Sequence, residues 1–390
     1  MDLPVSALEV AARKLKRNGR SAAGPDGIDP GKLFAAWQQV ARLCRYIRRL
    51  LLGGEYQFML GVEGYLPRPG KKPRRHAILS IRDAIVLRAL VDALIPIWQL
   101  IPAQLIGGRP GSSASEAART IYEYIKGGGA VLRADLVAAY DRTPWQIPLN
   151  ILWKISDRPE LCALLAKFYE TQEIKFPGLV EGTAVSSLLL AIALGTEVTP
   201  FVEIYADRFQ VYGDDIVIGA NKLSRLNAAG DALRERLAAL GLAIHTDGNK
   251  KMMITRGPFT YLGFIISESG MSPSPASCDS LMIKIDKAIM KAKNKPEKVR
   301  NGRRVIAAWA GYFAHTTEVG PLENLDAEIR AQHPEMGREL PKLVDIVFDR
   351  NPRERGRNAL RQGRDRMAMG HQGDSPDAPW IPKGLWRLAR

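Results

Sequence analysis

Cysteine is scarce and unpatterned: Cys44, Cys162 and Cys278 stand apart in 390 residues, with no C-x-x-C spacing. That excludes a disulfide framework and a cysteine-based zinc site, and it fits a reducing compartment. The N-terminus lacks the apolar core of a signal peptide. The longest apolar run, residues 188–194 with their flanks, is too short to span a bilayer, so a cytoplasmic location without a membrane partner is expected. Internal repeats and long low-complexity tracts are also missing. Negative charge is the other deficit: 41 Asp and Glu against 56 Lys and Arg leave a net charge of +15 and an isoelectric point near 9.8. Such an excess attracts a polyanion, nucleic acid above all, although charge alone names no reaction.

What is present is enough apolar sequence, 46% of residues, for one large or two to three modest cores, which excludes disorder throughout. Apolar residues recur at helical spacing over 5–16 and 32–51, separated by the Gly24-Pro25-Asp26-Gly27 turn. Residues 65–75 read as an extended basic arm with three prolines. A buried helix is expected over 80–100 and another helix over 113–126. Residues 130–136 form a buried strand carrying Asp135, followed by helices at 148–155 and 159–170. Short β-rich runs at 208–212 and 216–218 flank Gly213-Asp214, the strongest hairpin signal in the chain. A helix at 224–240, a strand at 259–267 and a basic helical stretch at 279–314 follow. Strands separated by helices around one hairpin predict an α+β fold with a palm-like sheet. Residues 350–390 hold ten Lys and Arg against four Asp and Glu and read as a mobile or partner-ordered basic tail.

A Gly-Asp turn between apolar strands is by itself an ordinary surface hairpin. Two adjacent aspartates at its tip repel each other, however, unless a cation lies between them and a third carboxylate, and Asp135 is available at the end of a separate strand. Phosphoryl transfer to a primer hydroxyl uses such a set to hold two Mg²⁺ about 3.5–4 Å apart.

Here the segments become specific. "RADLVAAYDRTPW" and "QVYGDDIVIG" resemble the A and C motifs of reverse transcriptases, in the expected order. "AAGPDGID", "LPRPGKKPRRHAILSIRDAIVLRAL", "GRPGSSASEAA", "GNKKMMI" and "YLGFII" are similar to successive finger and palm blocks of bacterial, group II intron-like reverse transcriptases, and "AAWAGYFAH" resembles the start of their thumb. An ordered series of blocks weighs far more than any one motif. The resemblance implies a right-hand polymerase: fingers and N-terminal helices over 1–129, a palm of antiparallel sheet plus helices over 130–270, a helical thumb over 271–345 and the basic tail over 346–390.

It also implies site residues. Asp135, Asp214 and Asp215, with the backbone of Leu136, would hold two Mg²⁺, with Mn²⁺ as an alternative. Tyr140 falls at the steric gate that excludes a ribose 2′-hydroxyl, so dNTPs are the expected substrates. Lys72, Arg74 and Arg75 match the basic segment that clamps the triphosphate, a task suited to guanidinium groups; Glu181 and Gly182 border the same pocket. Lys251, or Lys250 beside it, matches a lysine placed to protonate pyrophosphate. Tyr212, Arg82, Arg303 and Arg304 are assigned to nucleic acid, with a structural role favoured for Arg82. The partners implied are an RNA template or a dedicated non-coding RNA and the DNA product; a protein partner or homo-oligomer is left open.

Two departures qualify the match. The family pattern of Gln-Gly followed by Ser-Pro becomes Glu181-Gly182 followed by Ser186-Ser187, putting a carboxylate beside the nucleotide pocket. An ionised Glu181 would repel a triphosphate unless paired with a cation such as a finger arginine. Gly213 stands where alanine, valine or methionine is usual, and Tyr-Gly-Asp-Asp also occurs in RNA-dependent RNA polymerases. That polymerase class is the enzymatic rival, and a non-catalytic RNA-binding scaffold is the rival of another class. Among reverse transcriptases, retron, diversity-generating and defence-associated enzymes remain open. The last is favoured because the Glu181 and Ser187 departures leave the mobile-element pattern.

Overall fold

The computed structural model describes residues 3–17, 22–68, 71–183, 185–248 and 251–348, without the side chains of Pro67, Arg68, Lys71, Lys72, Glu335 and Met336. Lys250 and the basic tail from residue 349 onward lie outside the described residues. The chain forms two compact units, one of Met1–Ser112 with Val131–Ile254, the other of Ser113–Ala130 with the described residues from Thr255 onward.

The first unit opens with α1 (Val5–Arg17), whose Leu8, Ala11 and Ala12 are buried against the helices that follow. The expected helix over 32–51 is two. Asp29 caps α2 (Pro30–Ala35) by accepting from Gly31 N at 2.7 Å and Lys32 N at 3.2 Å, and Ala36 then leaves helical dihedrals (φ −110°, ψ 87°) before α3 (Trp37–Leu52). The basic arm contributes to both strands of a hairpin. Strand β1 (Val62–Arg68) pairs antiparallel with β2 (Lys71–Ile78), placing Tyr65 opposite Arg75 and Leu66 opposite Arg74. Ser80 caps α4 (Ile81–Ala93), which stops short of residue 100 because Pro96 cannot continue an α-helix; Ile95–Gln99 is a 3₁₀ turn instead.

Helix α5 (Ala114–Lys126), capped by Ser113, belongs to the second unit. The chain then enters the central sheet of the first unit through β3 (Ala130–Asp135), and α6 (Ala139–Arg142), α7 (Gln146–Ile155) and α8 (Pro159–Gln172) follow. Helix α9 (Ser186–Glu197), unassigned in the sequence reading, has its residues 188–195 all buried and packs against α7. A helix apolar on every side belongs in a core. After the single turn α10 (Thr199–Val202), β4 (Arg208–Tyr212) and β5 (Asp215–Ala220) make the anticipated hairpin with Tyr212 opposite Asp215. Helix α11 (Leu223–Ala239) packs on β5, and β6 (Met253–Thr255) completes a four-stranded sheet in the order β4-β5-β3-β6.

The second unit holds a three-stranded sheet. Residues 259–267 are two strands rather than one: β7 (Phe259–Tyr261) and β8 (Phe264–Ile266) reverse at Leu262 (φ 48°) and Gly263 (φ 81°), and β9 (Met271–Pro273) pairs with β8. The stretch 279–314 is likewise divided into α12 (Pro275–Met290) and α13 (Lys295–Tyr312), the second capped by Asn294 through Glu297 N at 3.0 Å. Helices α14 (Gly320–Gln332), α15 (Pro334–Gly337) and α16 (Leu343–Phe348) close the unit. Along α12 and α13 runs a groove of about 1050 Å³ lined by Lys284, Lys287, Lys291, Trp309 and Tyr312. The architecture is therefore mixed helix and antiparallel sheet. Among the described residues, no single helix is long and apolar enough to cross a membrane.

Candidate active site

The site is built where β3 ends beside the β4–β5 hairpin. Gly213 takes φ 64° at the first position of the two-residue loop, the backbone a tight hairpin of this kind requires. Leu136 N donates to Asp214 O at 3.0 Å, bringing the end of β3 against the turn. Asp135 and the Asp214-Asp215 pair are thus neighbours through the backbone.

The opposite side of the turn is fixed by residues 104–109, of which the sequence reading quoted only the last two, at the start of "GRPGSSASEAA". Ile106 N donates to Val211 O at 2.8 Å and Val211 N to Gln104 O at 2.9 Å, so residues 104–106 run beside β4. Gly107 then meets the turn so closely that any Cβ there would overlap Gly213 N, and a Cβ on Gly108 would come within 2.9 Å of Ser187 Cβ. Arg109 anchors this segment by donating to the carbonyls of Trp98 at 2.7 Å, Ile101 at 2.9 Å and Pro102 at 2.7 Å.

The carboxylates differ in their surroundings. Asp135 is 3% exposed, and its Oδ1 lies 3.5 Å from His245 Nε2; the two residues are also joined by a 3.0 Å bond from His245 N to Asp135 O. Asp215 Oδ1 is 3.6 Å from an Arg133 guanidinium nitrogen. Asp214 makes no side-chain hydrogen bond or ion pair with another described residue. Among the described residues, no three His, Cys, Asp or Glu side chains are arranged to hold a metal ion. The donor set, three carboxylates and a backbone carbonyl at Leu136, suits hard divalent cations in chemistry.

Tyr140 is half-buried, at the start of the helix that follows Ala138, whose φ of 48° turns the chain out of β3. Its hydroxyl lies 3.3 Å from Ser187 Oγ, so the residue that replaces the family proline supplies the tyrosine's partner. Burial pushes the Tyr140 phenol up, and the nearby Asp214 and Glu181 carboxylates push the same way against Ser187 and Arg74. Segment 178–179 runs along the same backbone, with Leu179 N donating to Tyr140 O at 2.8 Å.

Glu181 meets the cation it was expected to need. Its carboxylate accepts from Arg74 Nε, and its main-chain oxygen accepts from Ala77 N at 3.0 Å. Gly182, at φ 88°, packs over His76. Burial raises the Glu181 carboxyl, with Asp141 and Asp214 adding to it and Arg74 opposing. Arg75 is committed elsewhere: it donates to Glu63 at 2.7 Å and to Lys175 O at 2.6 Å, over the Phe176 ring. Lys72 lies on β2, its side chain outside the described residues.

Other assigned residues are spread wider. Lys251 is exposed and shares with His245 a cleft of about 420 Å³, so it stands near the Asp135 neighbour rather than against a carboxylate. Arg82 donates to Gln57 O at 2.9 Å over the Tyr56 ring, a structural placement. Tyr212 is half-buried on β4. Arg303 and Arg304 are exposed on α13 of the second unit, Arg303 donating to Glu339 O at 3.0 Å. Sequence reasoning missed His245, although its imidazole stands three residues ahead of the quoted "GNKKMMI" block, one of five histidines in the chain.

Comparison with known proteins agrees with this geometry. Residues 66–266 match the family model described as reverse transcriptase (RNA-dependent DNA polymerase). Protein YkfC of Escherichia coli (strain K12) is 28% identical over 199 residues, which cover 48% of this chain and 51% of that protein. The chain thus spans about half the length of the curated relative it matches. The matched region runs from the end of β1 through β8 and contains every residue of the site around the hairpin turn, and the chain belongs to the reverse transcriptase family.

Proposed function

We propose that the protein is an RNA-directed DNA polymerase adding dNTPs to a primer 3′ end. The observation that carries this reading is the Leu136 N to Asp214 O bond, which joins the end of β3, where Asp135 lies, to the hairpin turn that carries Asp214 and Asp215. Reverse transcriptases use divalent metal ions. Here Asp135, Asp214, Asp215 and the Leu136 carbonyl would hold them, and bound Mg²⁺ would supply activation of the primer hydroxyl and neutralisation of phosphate charge. The chain's own residues do the rest. Tyr140, protonated at neutral pH, bounds the sugar site and disfavours a 2′-hydroxyl. Arg74 faces the triphosphate, and Lys251 stands as proton donor to the departing pyrophosphate.

The lysine groove of the second unit suits a duplex backbone, sequence-independent and salt-sensitive. The division into fingers (1–129), palm (130–270), thumb (271–345) and basic tail (346–390) belongs to the same reading. So do a cytoplasmic setting and a dedicated non-coding RNA used in antiviral defence, supported by Glu181 and Ser187 in place of the mobile-element residues. The test is primer extension on a defined RNA template with dNTPs and rNTPs in parallel. Wild type is expected to prefer dNTPs, and Tyr140→Ala to relax that preference by about tenfold or more, since a lost steric exclusion is worth on the order of 1–3 kcal/mol. Equal use of both nucleotides by wild type would instead favour an RNA polymerase.

A further inference from the structure

The Arg74–Glu181 pair lies where a nucleotide's phosphates are proposed to bind, and this inference rests on that reading. Glu181 is anchored on β2 by the Ala77 bond and by the packing of Gly182 on His76, so its carboxylate cannot drift away from the strand. Its side chain is 19% exposed, and Arg74 is 45% exposed. Leu179 N donates to Tyr140 O at 2.8 Å and Ser187 Oγ lies 3.3 Å from the Tyr140 hydroxyl, so the chain on either side of Glu181 borders Tyr140 and sets the ion pair beside the site rather than on a remote surface. The neighbouring guanidinium of Arg75 is already engaged by Glu63 and the Lys175 carbonyl. Arg74 is thus the described arginine of this hairpin whose charge is held by a group belonging to the nucleotide pocket itself.

We propose that Glu181 is a specificity-determining residue that competes with polyphosphate for Arg74, lowering the affinity of the pocket for phosphate chains. A guanidinium paired with a carboxylate carries no net charge outward, and the carboxylate adds repulsion to an arriving triphosphate. A glutamine at the same place can still accept from Arg74 Nε, though more weakly than a carboxylate, while leaving the positive charge uncompensated. The enzyme therefore runs with a higher nucleotide requirement than its carboxyamide counterpart and is less inhibited by pyrophosphate-like anions.

The test compares wild type with Glu181→Gln and Glu181→Ala in two assays. Calorimetric binding of inorganic tripolyphosphate, in EDTA and without template, is expected to tighten about fivefold in both variants, the scale of one partly exposed ion pair. In primer extension the KM for dNTP falls by a similar factor while kcat stays within about twofold. Unchanged or weaker tripolyphosphate binding in both variants overturns the proposal, as does tightening with Gln but weakening with Ala, the pattern of a residue that merely orients Arg74. Tighter tripolyphosphate binding by a protein that extends no primer would leave this proposal standing and remove the polymerase reading instead.

Discussion

Gly107 and Gly213 face each other at the β4–β5 turn for different reasons. Gly213 has open space around it and is needed only for its φ of 64°, which an alanine adopts at about 1 kcal/mol. Gly107 has no unusual φ but no room, because a Cβ would occupy the position of Gly213 N. Gly213→Ala is therefore expected to keep primer-extension activity within a few-fold of wild type. Gly107→Ala must displace the turn that carries Asp214 and is expected to lower kcat by about tenfold or more, with dNTP KM changed little. Steady-state kinetics on one template reads both, and equal loss in the two variants would contradict the distinction. At this scale the sequence was legible where a motif marks local backbone, as for the turn at Gly213-Asp214. It was silent on Gly107 and His245, whose roles exist only because distant segments meet.

At the scale of elements, the start of α4 is held by a buried carboxylate. Asp83 is fully buried and accepts from Tyr56 Oη at 2.7 Å and Met59 N at 3.0 Å, while Ser80 caps its own amide. Burial raises its pKa despite the hydrogen bonds and the nearby Arg82. A carboxyl whose folded pKa lies above its unfolded value binds a proton more readily in the folded state. Stability contributed by Asp83 therefore falls as pH rises from the unfolded value through the raised folded one. Relative to Asp83→Asn, wild type is expected to lose stability over that window in denaturant melts at stepped pH; a parallel pair of curves would contradict it. Periodicity located α1, α5, α7, α8 and α11 to within a few residues. It ran through the breaks at Ala36, Leu262 and 291–294, because apolar spacing continues across a turn that caps, positive φ and tertiary packing impose. The β1–β2 hairpin escaped for the converse reason: prolines and like charges hide a strand whose pairing partner lies across the turn.

For the whole molecule, a net charge of +15 coexists with Asp135 and the Asp214-Asp215 pair on strand ends joined through the backbone. Such a charge suits an enzyme that grips a polyanion broadly. Composition foretold the polyanion. The ordered motifs foretold the family. Neither could foretell that Ser187 would partner Tyr140 or that Arg75 would be tied to Glu63, since both depend on which strands and helices come to lie side by side. The central claim, that the hairpin aspartates perform DNA synthesis on RNA, is tested most directly by Mg²⁺-supported dNTP incorporation on a defined RNA template, wild type beside Asp214→Asn. The account predicts template-directed DNA from wild type and a fall of about two orders of magnitude or more in the variant, with RNA binding retained. Incorporation by Asp214→Asn at the wild-type rate, or none by wild type, would contradict it.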